Sequence, residues 1–379
     1  MRIRAAVLHE PRTPVVVEEV ELAQPRDSEV LVRVAAAGVC HSDVRLADGE
    51  LGGGRWPIVL GHEGAGVVEA IGEGVTHVQP GDHVAFTFVP ACGSCPSCRA
   101  GRPNLCEPAG ERGVAGTLMD GTSRLSLPDG TVLQHGLMTA CFAEYAVVDA
   151  AAVVPLPREL PLWQAALLGC GVVTGIGAVR NTAKVRIGET VCVIGCGGVG
   201  LQVIAGARLA GASLIVAVDR DAEKLELALQ RGATHAVDVS AGDAAGAVRE
   251  LSHGGVDHAF EVVGRAETIR LAWDVLRAGA TAVVVGLAPK GVEVSLPAIE
   301  FLSEKAIRGS YYGSANVAAE LPQLVALVSD GRLDLGEVVS HVAGLEGVEA
   351  ALERLRRGEG ARTIITIDAG LAAYPSTGE

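Results

Sequence analysis

Aromatic side chains make up only 3% of the 379 residues, and methionine occurs three times. So few rings leave little with which to stack bases, as single-strand nucleic-acid binders do. Basic charge is also short: 31 Lys and Arg stand against 45 Asp and Glu, a formal net charge of −14. Neutralising phosphates needs a basic face, so no nucleic-acid partner is expected. No uninterrupted apolar run reaches the roughly 20 residues that a membrane-crossing helix needs, and no membrane partner is expected. Residues 1–22 contain Arg2, Arg4, His9, Glu10 and Arg12 and lack the apolar stretch and small-residue cleavage site of a secretion signal. A cytoplasmic location is therefore the expectation. Internal repeats and low-complexity tracts are missing as well.

Glycine is abundant, at 49 residues, and 49% of the chain is hydrophobic. A chain of this length exceeds one ordinary core, which predicts two domains. The nine cysteines are an odd number, and without a secretion signal metal ligation is a better reading than a disulfide framework.

Short segments at 3–9, 15–20, 29–36, 63–71, 83–88 and 144–148 read as strands between Gly and Pro, predicting a barrel-like β domain up to about Val154. A helical stretch follows from Leu162. From Thr190 strands at 190–194, 214–219, 236–238, 256–262 and 281–285 alternate with amphipathic helices at 199–210, 222–231 and 266–275. That alternation predicts βαβ units and a parallel sheet. Two more helices, 320–329 and 346–357, precede a strand at 363–367 that is expected to return to the first domain.

The apolar strand 190–194 runs directly into Gly195-Cys-Gly-Gly-Val-Gly200 and then into a helix. G-x-G-x-x-G in that setting is a dinucleotide fingerprint. Gly195 permits the tight turn, Gly197 lets a pyrophosphate approach the backbone, and Gly200 lets helix and sheet pack closely, with Gly198 and Val199 opening the helix at the phosphates. Asp219 ends the next strand, where a carboxylate accepts ribose hydroxyls and repels a 2′-phosphate, favouring NAD over NADP. Lys224 is a second ribose candidate. The competing account is a plain glycine turn with Asp219 capping a helix.

Cys92, Cys95, Cys98 and Cys106 fall in one 15-residue window, where chance predicts about 0.4 cysteines. Four thiolates surround Zn²⁺ tetrahedrally and leave no open position, so this site is expected to be structural. Cys40, His62 in Gly61-His-Glu-Gly-Ala-Gly66, and Cys170 in Gly169-Cys-Gly171 form a second candidate set. Two cysteines and a histidine leave a fourth position open, as catalytic zinc requires. Their spacing does not by itself distinguish ligands from buried core residues.

The Gly61–Gly66 motif, the four-cysteine loop and Gly195–Gly200, in this order, resemble the zinc-containing medium-chain alcohol dehydrogenases over nearly the whole chain. Val39-Cys-His-Ser-Asp43, Asp120-Gly-Thr-Ser-Arg124, Phe142-Ala-Glu-Tyr145 and Leu168-Gly-Cys-Gly171 are most like the class III, glutathione-dependent formaldehyde dehydrogenase type and its actinobacterial relatives. The resemblance implies a two-domain α/β fold: a chaperonin-10-like (GroES-like) catalytic domain at 1–171 and 315–379, and a Rossmann NAD-binding domain at 172–314. It implies two zinc ions per chain, with Cys40, His62 and Cys170 holding the catalytic one, Glu63 just behind it, and Asp43 fixing the His62 ring. Ser42 matches the hydroxyl that takes the alcohol proton. His41 and Arg362 match positions at the cofactor pyrophosphate, Thr174 one near the nicotinamide, and Val285 another cofactor position. Phe88, Phe142, Leu287 and Tyr311 match substrate-channel positions that core packing explains equally well.

The implied reaction is reversible hydride transfer between a primary alcohol or its aldehyde, aliphatic or aromatic, and NAD. Two positions depart from the pattern. Arg45 stands where many relatives end a proton relay in histidine, and an arginine cannot serve as the base. Gly110 stands where class III enzymes place an arginine for the carboxylate of a glutathione adduct, although Arg112 is nearby. The alternatives are a thiol-adduct formaldehyde dehydrogenase of glutathione or mycothiol type, an oxidoreductase that never releases its nicotinamide, and, outside enzymes, a zinc redox switch. Residues 292–310 match the segment that pairs sheet edges across a two-fold axis, so a homodimer is expected, with a tetramer second.

Overall fold

Valine-rich segments cut short by Gly and Pro set the strands of the first 170 residues. They are β1 (Arg2–Leu8), β2 (Val16–Leu22), β3 (Glu29–Val39), β4 (Ile58–Val59), β5 (Glu63–Ile71), β6 (His83–Phe86), β7 (Leu125–Ser126), β8 (Val132–His135), β9 (Tyr145–Asp149) and β10 (Val153–Leu156). Next come β11 (Thr190–Ile194), β12 (Leu214–Asp219), β13 (His235–Asp238), β14 (Val256–Glu261), β15 (Leu276–Val284) and β16 (Ala306–Gly309). The chain closes with β17 (Val339–Gly344) and β18 (Arg362–Thr366). The structure is a computed structural model describing residues 1–51 and 55–374. It divides into two units, Met1–Cys170 with Asn316–Glu379, and Gly171–Ala315. Residues 375–379, expected in the first domain, lie outside the described residues.

In the first unit β1, β2, β7, β8 and β4 close a barrel, and a second sheet runs β10-β6-β5-β3-β18-β17 with β9 also on β3. β3 is buried along nearly its whole length because it has partners on both edges and packing on both faces. Its register against β5 shifts at Leu31/Val32 and again at Val34/Ala36, irregularities that bend a strand and re-aim its end. Past the second shift Gly38 faces Glu63, while on the other edge Val39 faces Thr363. Cys40, His62 and Arg362, each one or two residues from these pairs, are thereby delivered to one end of the sheet.

The helix Leu162–Leu167 packs on β3, β5 and β6 and continues into a π turn, Leu168–Val172. Such widened turns recur at functional sites, and this one carries Cys170. The whole helical run Leu162–Ala183 is long and apolar enough to cross a membrane, yet 89% of its apolar window is buried inside the protein.

The second unit is a parallel sheet in the order β13-β12-β11-β14-β15-β16. Its core gathers Val216, Val218, Trp273 and Leu276. From β11 the chain winds outward to β12 and β13, then returns to β14 on the other side, so the switch point lies between β11 and β14. β15 starts at Leu276 rather than at 281, because Leu276 pairs with Val256 across an irregularity. Tertiary pairing there overrides the poor strand propensity of Arg277-Ala-Gly279.

Candidate active site and cofactor site

One carboxylate organises the first cluster. Asp43 is fully buried in the first turn of the helix His41–Ala47. Its Oδ2 accepts the Cys40 amide at 3.1 Å, and its Oδ1 accepts the Gly61 amide and faces His62 Nδ1, each at 3.1 Å. Asp43 thus ties together the two turns that carry Cys40 and His62. With Nδ1–H donated to Asp43, the lone pair of His62 sits on Nε2, which is buried without a hydrogen-bond partner. Ligand atoms from Cys40, His62, Glu63 and Cys170 all lie within 4.8 Å of one another.

The electrostatics suit a cation. A hydrogen bond from Cys170, then the nearby His62 and Arg362, hold the Cys40 thiol well below its ordinary range against the cost of burial. Cys170, hydrogen-bonded to Cys40 and buried, is raised in return, so the pair shares one proton. Burial opposes charge on His62, but Asp43 and the Cys40 sulfur together more than offset it and raise the ring well above its ordinary value. A metal ion would displace these protons and complete the orphaned Nε2.

Around the cluster, Ser42 Oγ stands 3.9 Å from Cys40 Sγ and is half-buried, while His41 is exposed. The Phe88 ring meets the His62 ring edge-on, 5.3 Å between centroids. Phe142 is fully buried in the hydrophobic core. Arg362, read from sequence as a pyrophosphate contact, is 6% exposed and ion-paired to Glu63 at 2.9 Å. Burial pushes Glu63 up to about 7 even with Arg362 pulling the other way. Arg45 is ion-paired to Glu50. Gly110 lies within the helix Glu107–Ala115, and the Arg112 guanidinium lies against Gly121.

The four-cysteine loop also closes on itself. Ligand atoms of Cys92, Cys95, Cys98 and Cys106 lie within 4.8 Å of one another. Sulfurs bonded to zinc at about 2.3 Å stand about 3.8 Å apart in a tetrahedron, so the set fits the ion. Amides of Cys92, Cys95 and Cys98 point at the sulfurs of Cys106, Cys92 and Cys95, at 3.3, 3.3 and 3.5 Å. Amides of Ser94 and Cys95 bring Cys92 down to about 6, whereas burial pushes Cys98 up to about 12.

In the second unit Gly195 adopts φ +94°, and a Cβ at Gly200 would stand 1.9 Å from the Gly195 carbonyl oxygen. Both positions require glycine, one for the turn and one for the close approach. The helix Gly198–Ala210 starts at N-cap Gly197, with Gly198 and Val199 half-buried at its mouth. Its unpaired amides and dipole suit a phosphate. Asp219 Oδ2 accepts the Cys196 amide at 2.7 Å, and Oδ1 accepts those of Arg220 and Asp221. Lys224 is 3.9 Å from Asp221. Thr174 is half-buried in the helix Val173–Gly177. The Val285 amide bonds to the Glu261 carbonyl. Leu287 and Tyr311 are exposed by 43% and 52%. Sequence reading overlooked Glu261 and the Arg362–Glu63 pair; Glu261 ends a strand that also carries Asp257 and His258, so its charge does not stand out in the sequence.

A cysteine-bound structural lobe, a Cys–His–Cys pocket and a dinucleotide turn on a parallel sheet define a zinc-dependent dehydrogenase. Residues 26–158 match the alcohol dehydrogenase GroES-like domain, and residues 198–330 match the zinc-binding dehydrogenase domain. S-(hydroxymethyl)glutathione dehydrogenase of Escherichia coli O1:K1 is 38% identical over 368 residues, covering 96% of this chain and 100% of the relative. An alcohol dehydrogenase zinc-binding domain protein from Burkholderia ambifaria superposes with a TM-score of 0.92 at 36% identity, and benzyl alcohol dehydrogenase from Acinetobacter calcoaceticus with 0.92 at 33%. In both superpositions 97% of this chain and 99% of the other are covered. The chain belongs to the NAD-dependent, zinc-containing medium-chain alcohol dehydrogenases.

Proposed function

We propose that Cys40, His62 and Cys170 hold the catalytic zinc of an enzyme that interconverts primary alcohols, aliphatic or aromatic, with their aldehydes. The observation that carries this assignment is the orphaned Nε2 of His62, fixed by Asp43 and aimed into a cluster of two thiols and a carboxylate. When bound, zinc supplies Lewis acidity of the kind that lowers the pKa of coordinated water from about 15.7 to about 7, and NAD⁺ supplies the hydride acceptor. The protein's own part is positional. Asp43 sets the His62 tautomer and keeps the ligand turns in register. Ser42 would accept the alcohol proton, and Arg45, an arginine ion-paired to Glu50, cannot serve as the base at the end of a relay. Phe88, edge-on to the His62 ring, and the exposed Leu287 and Tyr311 are the substrate-contact candidates, while the full burial of Phe142 in the core favours a packing role for it. Cys92, Cys95, Cys98 and Cys106 hold the structural zinc.

His41, Thr174, the turn Gly195 to Gly200, Asp219, Lys224, Val285 and Arg362 are assigned to NAD binding. Of the two domains, 1–171 with 315–379 carries both candidate metal sites and 172–314 carries the glycine turn. A cytoplasmic location accords with nine cysteines free of disulfides. A homodimer accords with the sheet edge: β16 is exposed throughout, and Ile299, Leu302 and Phe301 beside it are 72%, 80% and 46% exposed. Replacing Leu302 with Asp should yield monomers on a sizing column; an unchanged profile removes this face as the interface.

A second reading is favoured by the Escherichia coli relative: oxidation of a thiol adduct of formaldehyde. Gly110 supplies no arginine for the adduct's carboxylate, which places free alcohols first. An NADH-absorbance screen over aliphatic and aromatic alcohols, repeated with formaldehyde plus glutathione or mycothiol, decides between them. Turnover confined to the thiol adduct would overturn the preferred substrate class.

A further inference from the structure

Glu261 is a fully buried carboxylate for which neither the metal chemistry nor the fold has an evident need. It is the last residue of β14 and lies opposite Ile194, the residue before the glycine turn. This is the switch point of the parallel sheet, where ligands of such folds bind. Its Oε1 accepts three hydrogen bonds: from the amides of Val263 at 2.8 Å and Gly264 at 2.6 Å, and from the Thr268 hydroxyl at 2.7 Å. Its backbone carbonyl accepts the amides of Val285 and Gly286, at 2.8 and 2.9 Å. One residue thus fastens the loops that leave two neighbouring strands.

The second oxygen shows that this arrangement is not the cheapest way to end a strand. Oε2 is buried and has no hydrogen-bond partner among the described residues, a state that costs free energy wherever it occurs. A polar residue kept at such cost marks a shape that has to be held. The shape is next to the nucleotide turn, since a Cβ built on Gly195 would stand 2.6 Å from Val263 Cγ2. The turn that Glu261 holds is the surface on which the glycine turn rests.

We propose that Glu261 is a positioning residue of the nucleotide site. It braces residues 262–264 against the Gly195 turn, so that the crevice has its binding shape before the dinucleotide arrives. The assignment rests on the reading of this site as an NAD site. Glu261 touches no reacting atom, so its removal should change cofactor affinity and leave the chemical step alone.

The test uses the full-length, zinc-loaded enzyme with Glu261→Ala, Glu261→Gln and Thr268→Val. NADH binding is read by fluorescence titration, alongside kcat, KM for NAD⁺, zinc content and thermal melting. Glu261→Ala should weaken NADH binding and raise the KM for NAD⁺ by about tenfold, equivalent to about 1.4 kcal/mol. Its kcat at saturating cofactor and its zinc content should stay near wild type. Glu261→Gln, whose amide oxygen replaces Oε1, should restore affinity to within about threefold. Thr268→Val, which removes one donor of three, should lose about threefold and decides the matter if Glu261→Ala does not fold. Unchanged NADH affinity in Glu261→Ala, or in Thr268→Val where the alanine variant is unfolded, overturns the proposal. So does a fall in kcat without a change in KM, or a failure of the Gln variant to rescue. A wild-type enzyme that binds no NADH would instead remove the cofactor reading, and this proposal with it.

Discussion

Arg362 Nη1 lies 2.9 Å from Glu63 Oε1 and 3.2 Å from Oε2, with both side chains buried at the end of β3 that carries Cys40. Guanidinium and carboxylate meet there because β18 and β5 flank β3 and their registers end together. Glu63 adds a negative charge beside two thiols, and Arg362 offsets it.

Breaking this pair from one side is therefore expected to be costly. Arg362→Met leaves Glu63 buried without a counter-charge, a situation typically worth about 3 to 5 kcal/mol. Chemical denaturation should show a loss of that order, and the double variant Glu63→Gln with Arg362→Met should recover much of it. Since Glu63 is raised to about 7, the comparison is made at a pH well above that value, where wild-type Glu63 is charged, and a single variant as stable as wild type there would contradict the assignment.

The two metal sites are expected to separate by mutation. Cys170→Ala removes one ligand of an open site, so metal analysis should fall from two zinc ions per chain to one, turnover should vanish, and melting should change little. Cys98→Ser acts on a lobe whose hydrophobic cluster is small, with Cys106, Ala109 and Met138 as its buried members among the described residues. A structural zinc contributes on the order of 10 to 16 kcal/mol of apparent binding energy. The Ser variant should therefore be cleaved by protease within 92–106 where wild type resists, and equal resistance would show that the lobe stands without its metal.

The parts of this architecture legible in the sequence are those set by neighbours along the chain. The four-cysteine loop, the glycine turn and the strands Thr190–Ile194 and Leu214–Asp219 are local patterns, and the structure has them at those residues. What depends on pairing across the sheet was not legible. The register shifts of β3 carry it on to Val39, not to 36, and these shifts bring Cys40, His62 and Arg362 together. The early start of β15 and the π turn under Cys170 have the same origin in packing against partners distant in sequence.

Two buried groups in the barrel unit should give stability opposite dependences on pH. Burial, assisted by Arg124, holds His135 down to about 3. Between an unfolded value of about 6.5 and that point the unfolded chain takes up a proton that the native state refuses, so His135 costs stability as pH falls. Burial pushes Asp149 up to about 6. Between about 6 and an unfolded value of about 3.9 the native state holds the extra proton, so Asp149 adds stability as pH falls. Relative to wild type, His135→Gln should gain between pH 7 and pH 4, and Asp149→Asn should lose over the same range. Denaturant midpoints at the two pH values measure both; shifts of the same sign would contradict this assignment.

In the proposed NAD site, cofactor choice is assigned to Asp219, whose Oδ2 accepts the Cys196 amide at 2.7 Å. That bond aims the carboxylate at the glycine turn, where a ribose would lie, and a 2′-phosphate at the same place would meet a fixed negative charge. Asp219→Ala removes both the charge and the acceptor that steadies the turn, so it should weaken NAD⁺ as it admits NADP⁺. Asp219→Asn separates the two effects, since its amide oxygen can still accept the Cys196 amide while the charge is gone. The ratio of kcat/KM for NAD⁺ over NADP⁺ should fall by about tenfold or more in both variants, about 1.4 kcal/mol of discrimination, with NAD⁺ itself better preserved in Asn. If Asn kept the wild-type ratio and only Ala lost it, discrimination would come from the shape of the turn and not from the charge.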